Sequence, residues 1–273
     1  MCRGRVQMRR CAIAGVEATM ADTAHSFARH SHDRFGVGVI VSGGHRSTSG
    51  RGVVEARAND AIMVNPGEVH DGSPLDEHGR AWRMLYFEPS LLTSAGAELN
   101  DTVARELELT QPVVRDPLLT RLFERVFAVS VLAPCVPDDL VREEALLDLL
   151  AHLVRAHATK SACAHRSAAT GPVARARARI DDDPAAALTL ADLAADAGVS
   201  RFQLLRAFAQ QTGLPPHAYR MQRRVSLARQ CIASGAALAD AAAAAGFADQ
   251  SHMTRAFVRL LGVTPANYAA AMR

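Results

Sequence analysis

The sequence predicts an α+β protein: a small N-terminal β-barrel with a helical segment, followed by an all-α C-terminal domain with two helix-turn-helix units. Three observations predict this class. Residues 25–90 alternate short Val- and Gly-rich apolar stretches with turn residues, as antiparallel strands do. Residues 117–158 carry apolar side chains at helical spacing. From residue 172 onward the chain is rich in alanine and contains an internal repeat.

Length and composition limit the possible classes of protein. The chain has 273 residues, enough for about two domains with separate cores. Its hydrophobic fraction of 49% and charged fraction of 22% exclude a wholly disordered, collagenous or coiled-coil chain. No apolar run reaches the roughly 18 residues of a membrane-spanning helix. The five cysteines form no CxxC pair, so no disulfide framework or zinc ribbon is expected, and we expect a cytoplasmic protein.

Charge is distributed unevenly along the chain. The whole sequence has a net charge of +3, whereas residues 172–273 contain 12 arginines and 7 acidic residues, a net charge of +5. A basic segment of this kind indicates a nucleic-acid partner, although a solvated basic face has the same composition. The sequence has no nucleophile elbow, phosphate-binding loop or dinucleotide-binding glycine motif, so we do not expect an enzyme.

The N-terminal half divides into an arm and a sheet domain. We expect residues 1–24 to form the arm and residues 25–110 the sheet domain, with strands at 37–41, 53–56, 61–64 and 83–87. Turns are expected where residues that favour turns cluster, at Gly43-Gly44, Asn59-Asp60 and Asn65-Pro66-Gly67. Short strands in such close succession predict a small barrel.

Two amphipathic helices are predicted within residues 111–158, which we assign as a dimerisation segment. Their apolar positions recur three or four residues apart: Leu118, Leu119, Leu122, Val126 and Val129, then Leu140, Leu146, Leu147, Leu150 and Leu153. Such a stripe packs on its own domain or against a second copy of the chain, and the spacing allows both. Residues 159–172 are small and polar, which predicts a linker.

The domain predicted over residues 173–273 contains two copies of one unit. Arg206-Ala207-Phe208 recurs 49 residues later as Arg255-Ala256-Phe257. Upstream, an offset of 48 residues aligns Gly198 with Gly246. Two units in register favour a repeated functional module over an ordinary helical hairpin.

Each unit has the spacing of a helix-turn-helix motif. In the first unit, Thr189 is placed to cap a helix, and Gly198 suits a turn that needs a positive φ. Ser200 is placed to cap the next helix, which we expect to bury Leu204, Leu205 and Phe208. The opposite face of that helix is the one that meets base edges when such a helix enters the major groove of DNA.

The second unit carries a recognisable signature. The segment Gly246-Phe247-Ala248-Asp249-Gln250-Ser251-His252-Met253-Thr254-Arg255-Ala256-Phe257, followed by Gly262-Val263-Thr264-Pro265 and Tyr268, closely resembles the AraC/XylS family of bacterial transcription regulators. The resemblance implies a DNA-binding domain with two helix-turn-helix units and a role in promoter control. We also expect a homodimer, with RNA polymerase as a candidate partner. The family's base-contacting positions fall on Arg201, Gln203, Arg206, Gln250, Ser251 and Arg255. Arg223 is expected to contact a phosphate or to form a salt bridge within the domain.

Histidines mark the sheet domain. His30-Ser31-His32 precedes one predicted strand and His70 follows another, a spacing that resembles the two cupin motifs. The resemblance implies that residues 25–110 form a cupin-like sensor domain that binds a small polar effector, such as an amino acid or a sugar. Candidate effector contacts are His30, His32, His70, Arg83 and Tyr86. We expect the remaining histidines of this domain, His25, His45 and His78, at its surface.

The same three histidines are also candidate metal ligands. His30, His32 and His70 could hold Zn²⁺ or Ni²⁺ with one position open. Metal-binding cupins usually add a glutamate four or five residues after the second histidine, where this chain has Gly36 and Val37. No other cofactor is expected. The leading hypothesis is therefore an effector-controlled DNA-binding regulator; the alternatives are a metal-dependent cupin enzyme fused to a DNA-binding module, and a DNA-binding dimer without an effector.

Overall fold

The computed structural model describes residues 5–100, 107–132, 138–160 and 171–272. The chain forms two compact units, one of residues 1–27 and 31–161 and the other of residues 28–30 and 162–273. Residues 161–170 of the predicted linker, and Cys2, Cys135 and Cys163, lie outside the described residues. Within the described part of the chain, no helix is both long and apolar enough to cross a membrane.

The N-terminal unit is built on one sheet, in which nine strands of the described residues are joined. The strands are β1 (Arg5–Arg9), β2 (Val16–Thr23), β3 (Phe27–His30), β4 (Phe35–Ser49), β5 (Gly52–Arg57), β6 (Ala61–Val64), β7 (His70–Pro74), β8 (Arg80–Phe87) and β10 (Val113–Val114). The central path runs β1-β2-β8-β4-β6-β10, strands β5 and β7 also pair with β4, and β3 pairs with β7. Within the described residues the path does not close on itself, and it is compatible with a cupin-like jelly roll. The predicted α+β class is confirmed.

Two expectations for this unit are corrected. The arm expected over residues 1–24 belongs to the sheet from Arg5 onward, because β1 pairs antiparallel with β2 along its whole length. The turn expected at Gly43-Gly44 lies inside the long strand β4, which bends at an irregularity between Ile40 and Ser42. Gly43 has a φ of +72°, and a Cβ there would lie 2.3 Å from the carbonyl oxygen of Gly79. Glycine at this position therefore allows both the bend of β4 and the close approach of the Gly79 backbone, just before β8.

Helices cover one face of the sheet. They are α1 (Pro89–Asn100), α2 (Pro117–Phe127) and α3 (Asp139–His152); a π-helical turn follows α2 at Ala128–Leu132 and another follows α3 at Leu153–His157. Strands β9 (Leu107–Leu109) and β11 (Ala158–Lys160) pair antiparallel. Helices near both predicted positions are present, whereas α1 was not predicted. Phe123, Phe127 and Leu149 pack with the sheet residues Leu85 and Phe87 in one fully buried core.

The C-terminal unit consists of helices only among its residues from 171 to 272. They are α4 (Pro172–Asp182), α5 (Leu190–Ala197), α6 (Arg201–Thr212), α7 (Pro216–Ala233), α8 (Leu238–Ala244), α9 (Gln250–Leu261) and α10 (Pro265–Met272). The sequence repeat appears as a repeated core contact. The ring centroids of Phe208 and Tyr219 lie 5.5 Å apart, and those of Phe257 and Tyr268, 49 residues later, lie 6.1 Å apart.

Candidate nucleic-acid interface and candidate effector site

The first helix-turn-helix unit is formed by α5 and α6. Gly198 ends α5 in the left-handed conformation with a φ of 68°, which a glycine adopts at little cost. Ser200 and Gln203 form a capping box: Ser200 Oγ accepts from the Gln203 backbone N–H at 3.2 Å, and Gln203 Oε1 accepts from the Ser200 N–H at 3.0 Å. These caps set the start of the second helix, which presents Arg201 and Arg206 to solvent.

One expectation for the buried face of this helix is wrong. Leu204 and Phe208 are fully buried, whereas Leu205 is 39% exposed, because it lies next to the exposed Arg206 on the solvent side of α6.

The second unit is formed by α8 and α9 in the same way. Gly246 has a φ of 73°, close to that of Gly198. Asp249 caps α9, since its Oδ1 accepts from the His252 N–H at 2.6 Å. Gln250, Ser251 and Arg255 are exposed on this helix. Both units therefore present the start of their second helix, with its polar side chains, at the surface.

One further residue in the first unit was missed by the sequence reasoning. Phe202 lies between Arg201 and Gln203 on α6 and is 79% exposed, the most exposed of the large apolar side chains described. An aromatic side chain at the start of such a helix is suited to contact the methyl group of thymine. The signal that could have found it is an apolar residue on the polar face of a recognition helix.

Three arginines of α7 contact polar groups of their own unit. Arg223 Nε lies 2.9 Å from Asp181 Oδ1, and the Tyr219 hydroxyl donates to the same carboxylate at 2.8 Å. Burial and this carboxylate raise the pKa of Tyr219 above its usual value. Arg220 Nε and Arg224 Nε donate to the carbonyl oxygen of Pro184 at 3.0 Å and 2.8 Å. These contacts hold the segment between α4 and α5 against α7.

In the N-terminal unit, successive side chains of strand β8 point to opposite sides of the sheet, and the two sides differ in chemical character. Leu85 and Phe87 point to the helices and join the buried core. Arg80, Trp82 and Tyr86 point to the opposite side, which also carries His32, His45 and His70; we call this the histidine face. The ring centroid of His32 lies 4.9 Å from that of Tyr86 and 5.2 Å from that of His70.

Two of the predicted histidines have a defined tautomer. His70 Nδ1 lies 3.0 Å from the carbonyl oxygen of Glu68, and His30 Nδ1 lies 2.8 Å from that of Ala28. A carbonyl only accepts, so in each neutral ring Nδ1 carries the proton and Nε2 is the acceptor or ligand nitrogen. Burial lowers the pKa of His70, which favours its neutral form.

A buried arginine, Arg80, lies at the other end of the histidine face, beside His45 and Trp82. Arg80 is 1% exposed, and among the described residues its Nη2 has no hydrogen-bond partner. Its Nε donates to His45 Nδ1 at 2.8 Å, its Nη1 donates to the carbonyl oxygen of His25 at 3.1 Å, and its guanidinium carbon lies 4.8 Å from the Trp82 ring centroid. Burial lowers the pKa of Arg80 to about 10, so it stays charged at neutral pH.

The surroundings of Arg80 correct the expectation that His45 lies at the surface. Burial, then the charge of Arg80, then His70, lower the pKa of His45 to about 3, so the ring is neutral. The physical reason is the long bent strand β4, which carries His45 across from Arg80. His25 and His78 are exposed, as expected.

Arg83, the arginine expected to line the effector site, lies on the helix side of β8. Its Nη1 lies 2.5 Å from Glu124 Oε2 on α2, and its guanidinium carbon lies 5.5 Å from the Phe127 ring centroid. Because side chains alternate along a strand, residues three apart point to opposite sides. The candidate arginine of the histidine face is therefore Arg80.

Comparison with known families and proteins agrees with both units. Residues 13–168 match the AraC-like ligand binding domain, and residues 193–271 match a helix-turn-helix domain. The chain is 27% identical over 227 residues to the HTH-type transcriptional regulator YbfI of Bacillus subtilis strain 168, covering 83% of this chain and 81% of that one. It is 34% identical over 134 residues to an AraC-like transcription regulator of Streptomyces lividans, covering 47% of this chain and 44% of that one.

Solved structures share the fold across both units. An apo variant of ToxT from Vibrio cholerae has a TM-score of 0.59 at 11% identity, covering 97% of this chain and all of that one. ToxT with an unsaturated fatty acid bound has a TM-score of 0.52 at 12% identity, covering 98% of this chain and 95% of that one. ToxT bound to (E)-4-(8-methylnaphthalen-1-yl)but-3-enoic acid has a TM-score of 0.55 at 12% identity, covering 99% of this chain and 100% of that one. The chain belongs to the AraC family: it is a DNA-binding transcriptional regulator with an N-terminal ligand-binding domain.

Proposed function

We propose that this regulator responds to a small organic acid, whose carboxylate binds Arg80 on the histidine face. The observation that carries the proposal is a buried guanidinium whose Nη2 has no hydrogen-bond partner in the part of the chain that the structure describes. Among the described residues no carboxylate forms a salt bridge with Arg80. A buried charge without an ionic partner is strongly unfavourable. Because the Arg80 guanidinium is already removed from water, an anionic ligand would form a charge-assisted hydrogen bond with it at little further cost of desolvating the arginine.

The rest of the ligand is expected to lie along the aromatic side chains of the same face. Trp82 adjoins Arg80 and Tyr86 lies further along β8, where the His32 ring is next to both Tyr86 and His70. A polar head and an apolar body of a ligand would therefore both find matching groups. The two ToxT ligands are both carboxylic acids, which supports an acid as effector here. An amino acid belongs to the same chemical class.

A second candidate is a divalent metal, Zn²⁺ or Ni²⁺, held by His30, His32 and His70. It is favoured by the Nδ1 hydrogen bonds of His30 and His70, which leave Nε2 as the ligand nitrogen. A resident metal would bring back the alternative of a metal-dependent enzyme fused to the DNA-binding module. The relatives are regulators, and we propose that this chain has no catalytic activity and acts in the cytoplasm.

The test is a comparison of Arg80→Met with Arg83→Met in the full chain. Methionine is apolar and of similar length, so a buried arginine is replaced without a new unpaired charge. We expect carboxylic acids from a panel to raise the melting temperature of the wild type by several degrees at about 100 times the dissociation constant. The shift should vanish in Arg80→Met and persist in Arg83→Met, since Arg83 faces the helices.

Three outcomes would contradict the acid proposal. The first is an equal shift of the melting temperature in the wild type and Arg80→Met. The second is a shift with the matched amides as large as that with the acids. The third is stabilisation by Zn²⁺ or Ni²⁺ alone that is lost in His32→Ala, which would favour the metal instead.

We propose that side chains at the starts of α6 and α9 contact the bases of DNA and so recognise its sequence. Arg201, Gln203, Arg206 and Phe202 would act in the first unit, and Gln250, Ser251 and Arg255 in the second, while Arg223 remains a proposed phosphate contact. In the described structure Gln203 Oε1 is held in its capping box, so its amide N–H groups would be the ones that read a base.

We expect Arg206→Ala to weaken binding to a selected duplex by about 1–3 kcal/mol and to relax one base preference. Arg259→Ala is the matched control, since it removes the same charge from the last turn of α9, away from the helix start. Fluorescence anisotropy with the selected duplex and a scrambled duplex, at one salt concentration, measures both. If Arg206→Ala lost the same affinity for both duplexes, Arg206 would contact a phosphate and would not read a base.

A homodimer is proposed through α3. Leu140 and Leu147 are spaced seven residues apart and are 59% and 52% exposed, so they form an apolar strip that nothing in the described chain covers. A second copy of the chain would bury it and would present two DNA-binding domains together. Sedimentation equilibrium should then give twice the chain mass of 29.2 kDa, whereas a monomer at micromolar concentration would contradict this pairing.

RNA polymerase remains a proposed partner of the DNA-bound protein.

A further inference from the structure

A second cluster of histidine and carboxylate side chains lies away from the histidine face, between the ends of two helices. Asp116 precedes α2, His152 ends α3, and His157 ends the π-helical turn that follows α3. His152 Nε2 lies 2.7 Å from Asp116 Oδ2, and His157 Nε2 lies 2.8 Å from the same oxygen. Three groups that are 36 and 41 residues apart in sequence thus converge on one point.

The π-helical turn explains why the two histidines meet. In a regular α-helix of 3.6 residues per turn, side chains five positions apart point about 140° away from each other. The wider π turn over Leu153–His157 brings His157 back to the side of His152. Such bulges cost helical regularity and occur frequently at functional sites.

The carboxylate is held in place by the backbone. Asp116 Oδ1 accepts from the backbone N–H groups of Leu118 at 2.8 Å and Leu119 at 3.1 Å, which caps α2. Its other oxygen is thereby directed at the two imidazoles. The carbonyl of His157 accepts from the Thr110 backbone N–H at 2.9 Å and from its hydroxyl at 3.2 Å, which positions the third ligand.

We propose that Asp116, His152 and His157 form a binding site for a divalent transition metal, with Zn²⁺ as the ion of choice. Two imidazole nitrogens and one carboxylate oxygen are a typical donor set for such ions, and three protein ligands leave one position open. One ligand atom from each residue lies within 4.8 Å of the others. The metal–ligand bonds of a tetrahedral zinc site place ligand atoms about 3.3 Å apart, so the two imidazoles need to move only about 0.6 Å from the oxygen.

The burial of the three side chains suits a metal that enters from solvent. Their exposed fractions are 21% for Asp116, 18% for His152 and 12% for His157, so the ligand atoms are shielded but reachable. The ion would bridge the start of α2, the end of α3 and the turn that leads into β11. This site shares no residue with the proposed effector site or with the three cupin-type histidines.

The experiment compares zinc binding by untagged, full-length wild type with that of Asp116→Asn and His157→Gln. Asparagine caps a helix as well as aspartate does, so Asp116→Asn keeps the start of α2 and removes the charged ligand. Zinc affinity is measured by competition with a chromophoric chelator, and Co²⁺ absorption reports the coordination geometry. We expect each variant to lower the affinity of one zinc equivalent by at least 100-fold, since even the loss of an outer hydrogen bond to a ligand costs about 10–100-fold.

Two control variants separate this site from other histidines. His32→Gln tests the histidine face, and the exposed His78→Gln tests adventitious surface binding; both should retain the affinity of that equivalent. Zinc should also raise the melting temperature of the wild type and of both controls by several degrees, and leave Asp116→Asn unchanged. Equal zinc affinity in the wild type, Asp116→Asn and His157→Gln, or loss of binding in His32→Gln alone, would overturn the proposal.

Discussion

Replacing Gly246 by alanine is expected to destabilise the C-terminal unit far more than the same change at Gly198. The two glycines are at equivalent positions of the repeat and have nearly the same φ, 73° and 68°. A left-handed conformation costs an alanine about 1–2 kcal/mol, and both variants bear this cost. A Cβ at Gly246 would also lie 2.7 Å from Cα and 2.8 Å from the carbonyl oxygen of Ala185, whereas a Cβ at Gly198 would meet nothing within 4 Å.

The clash at Gly246 is with backbone, which cannot turn aside as a flexible side chain can. Overpacking of this kind adds about 1–3 kcal/mol, so we expect a total loss of about 2–5 kcal/mol for Gly246→Ala and about 1–2 kcal/mol for Gly198→Ala. Ala185 belongs to the segment that Arg220 and Arg224 hold against α7, so it has little freedom to retreat.

Two optical probes allow this prediction to be measured in the full chain. Trp82 is the single tryptophan and lies in the N-terminal unit, so its fluorescence reports that unit, while far-UV circular dichroism is dominated by the helices. In urea, Gly246→Ala should lower the midpoint seen by circular dichroism and leave that of Trp82 unchanged. If Gly198→Ala and Gly246→Ala have equal midpoints, the close approach to Ala185 does not limit stability.

Acid is expected to destabilise the N-terminal unit through His45, and His45→Asn is expected to remove that sensitivity. The pKa of His45 is about 3 in the folded protein and about 6.5 in an unfolded chain, because the folded ring is buried beside the charge of Arg80 and near His70. The folded ring therefore stays neutral while the unfolded ring takes up a proton. Its contribution to stability is complete above pH 6.5 and is lost progressively as the pH falls toward 3.

Linkage gives the size of this effect. Between pH 7 and pH 5 the loss due to His45 is up to about 2 kcal/mol. Asparagine places its side-chain oxygen near the position of Nδ1, so it can still accept from Arg80 Nε and does not titrate. Urea unfolding followed by Trp82 fluorescence at the two pH values should show a smaller loss in His45→Asn than in the wild type. Identical losses would mean that His45 is protonated in the folded state.

The C-terminal unit was predicted most completely because its information is local. Helix caps at Thr189 and Ser200 and the glycine turns depend on hydrogen bonds and φ angles within a few residues, and these are read directly from residue type. The repeat doubled that information. The N-terminal unit was predicted less well: the predicted arm is β1 and β2, and the expected Gly43-Gly44 turn is part of β4.

Sequence by itself determined the α+β class, the two helix-turn-helix units, the exposed polar positions at the start of their second helices, and the family. Only the tertiary structure decided which side of the sheet each residue of β8 serves, and therefore that Arg83 pairs with Glu124 while Arg80 is buried opposite His45. It alone brought Asp116 beside His152 and His157, and Gly246 against Ala185. The physical reason is range: caps and turns are satisfied by near neighbours in the chain, whereas buried charges, ligand clusters and close backbone contacts need partners that only packing brings together.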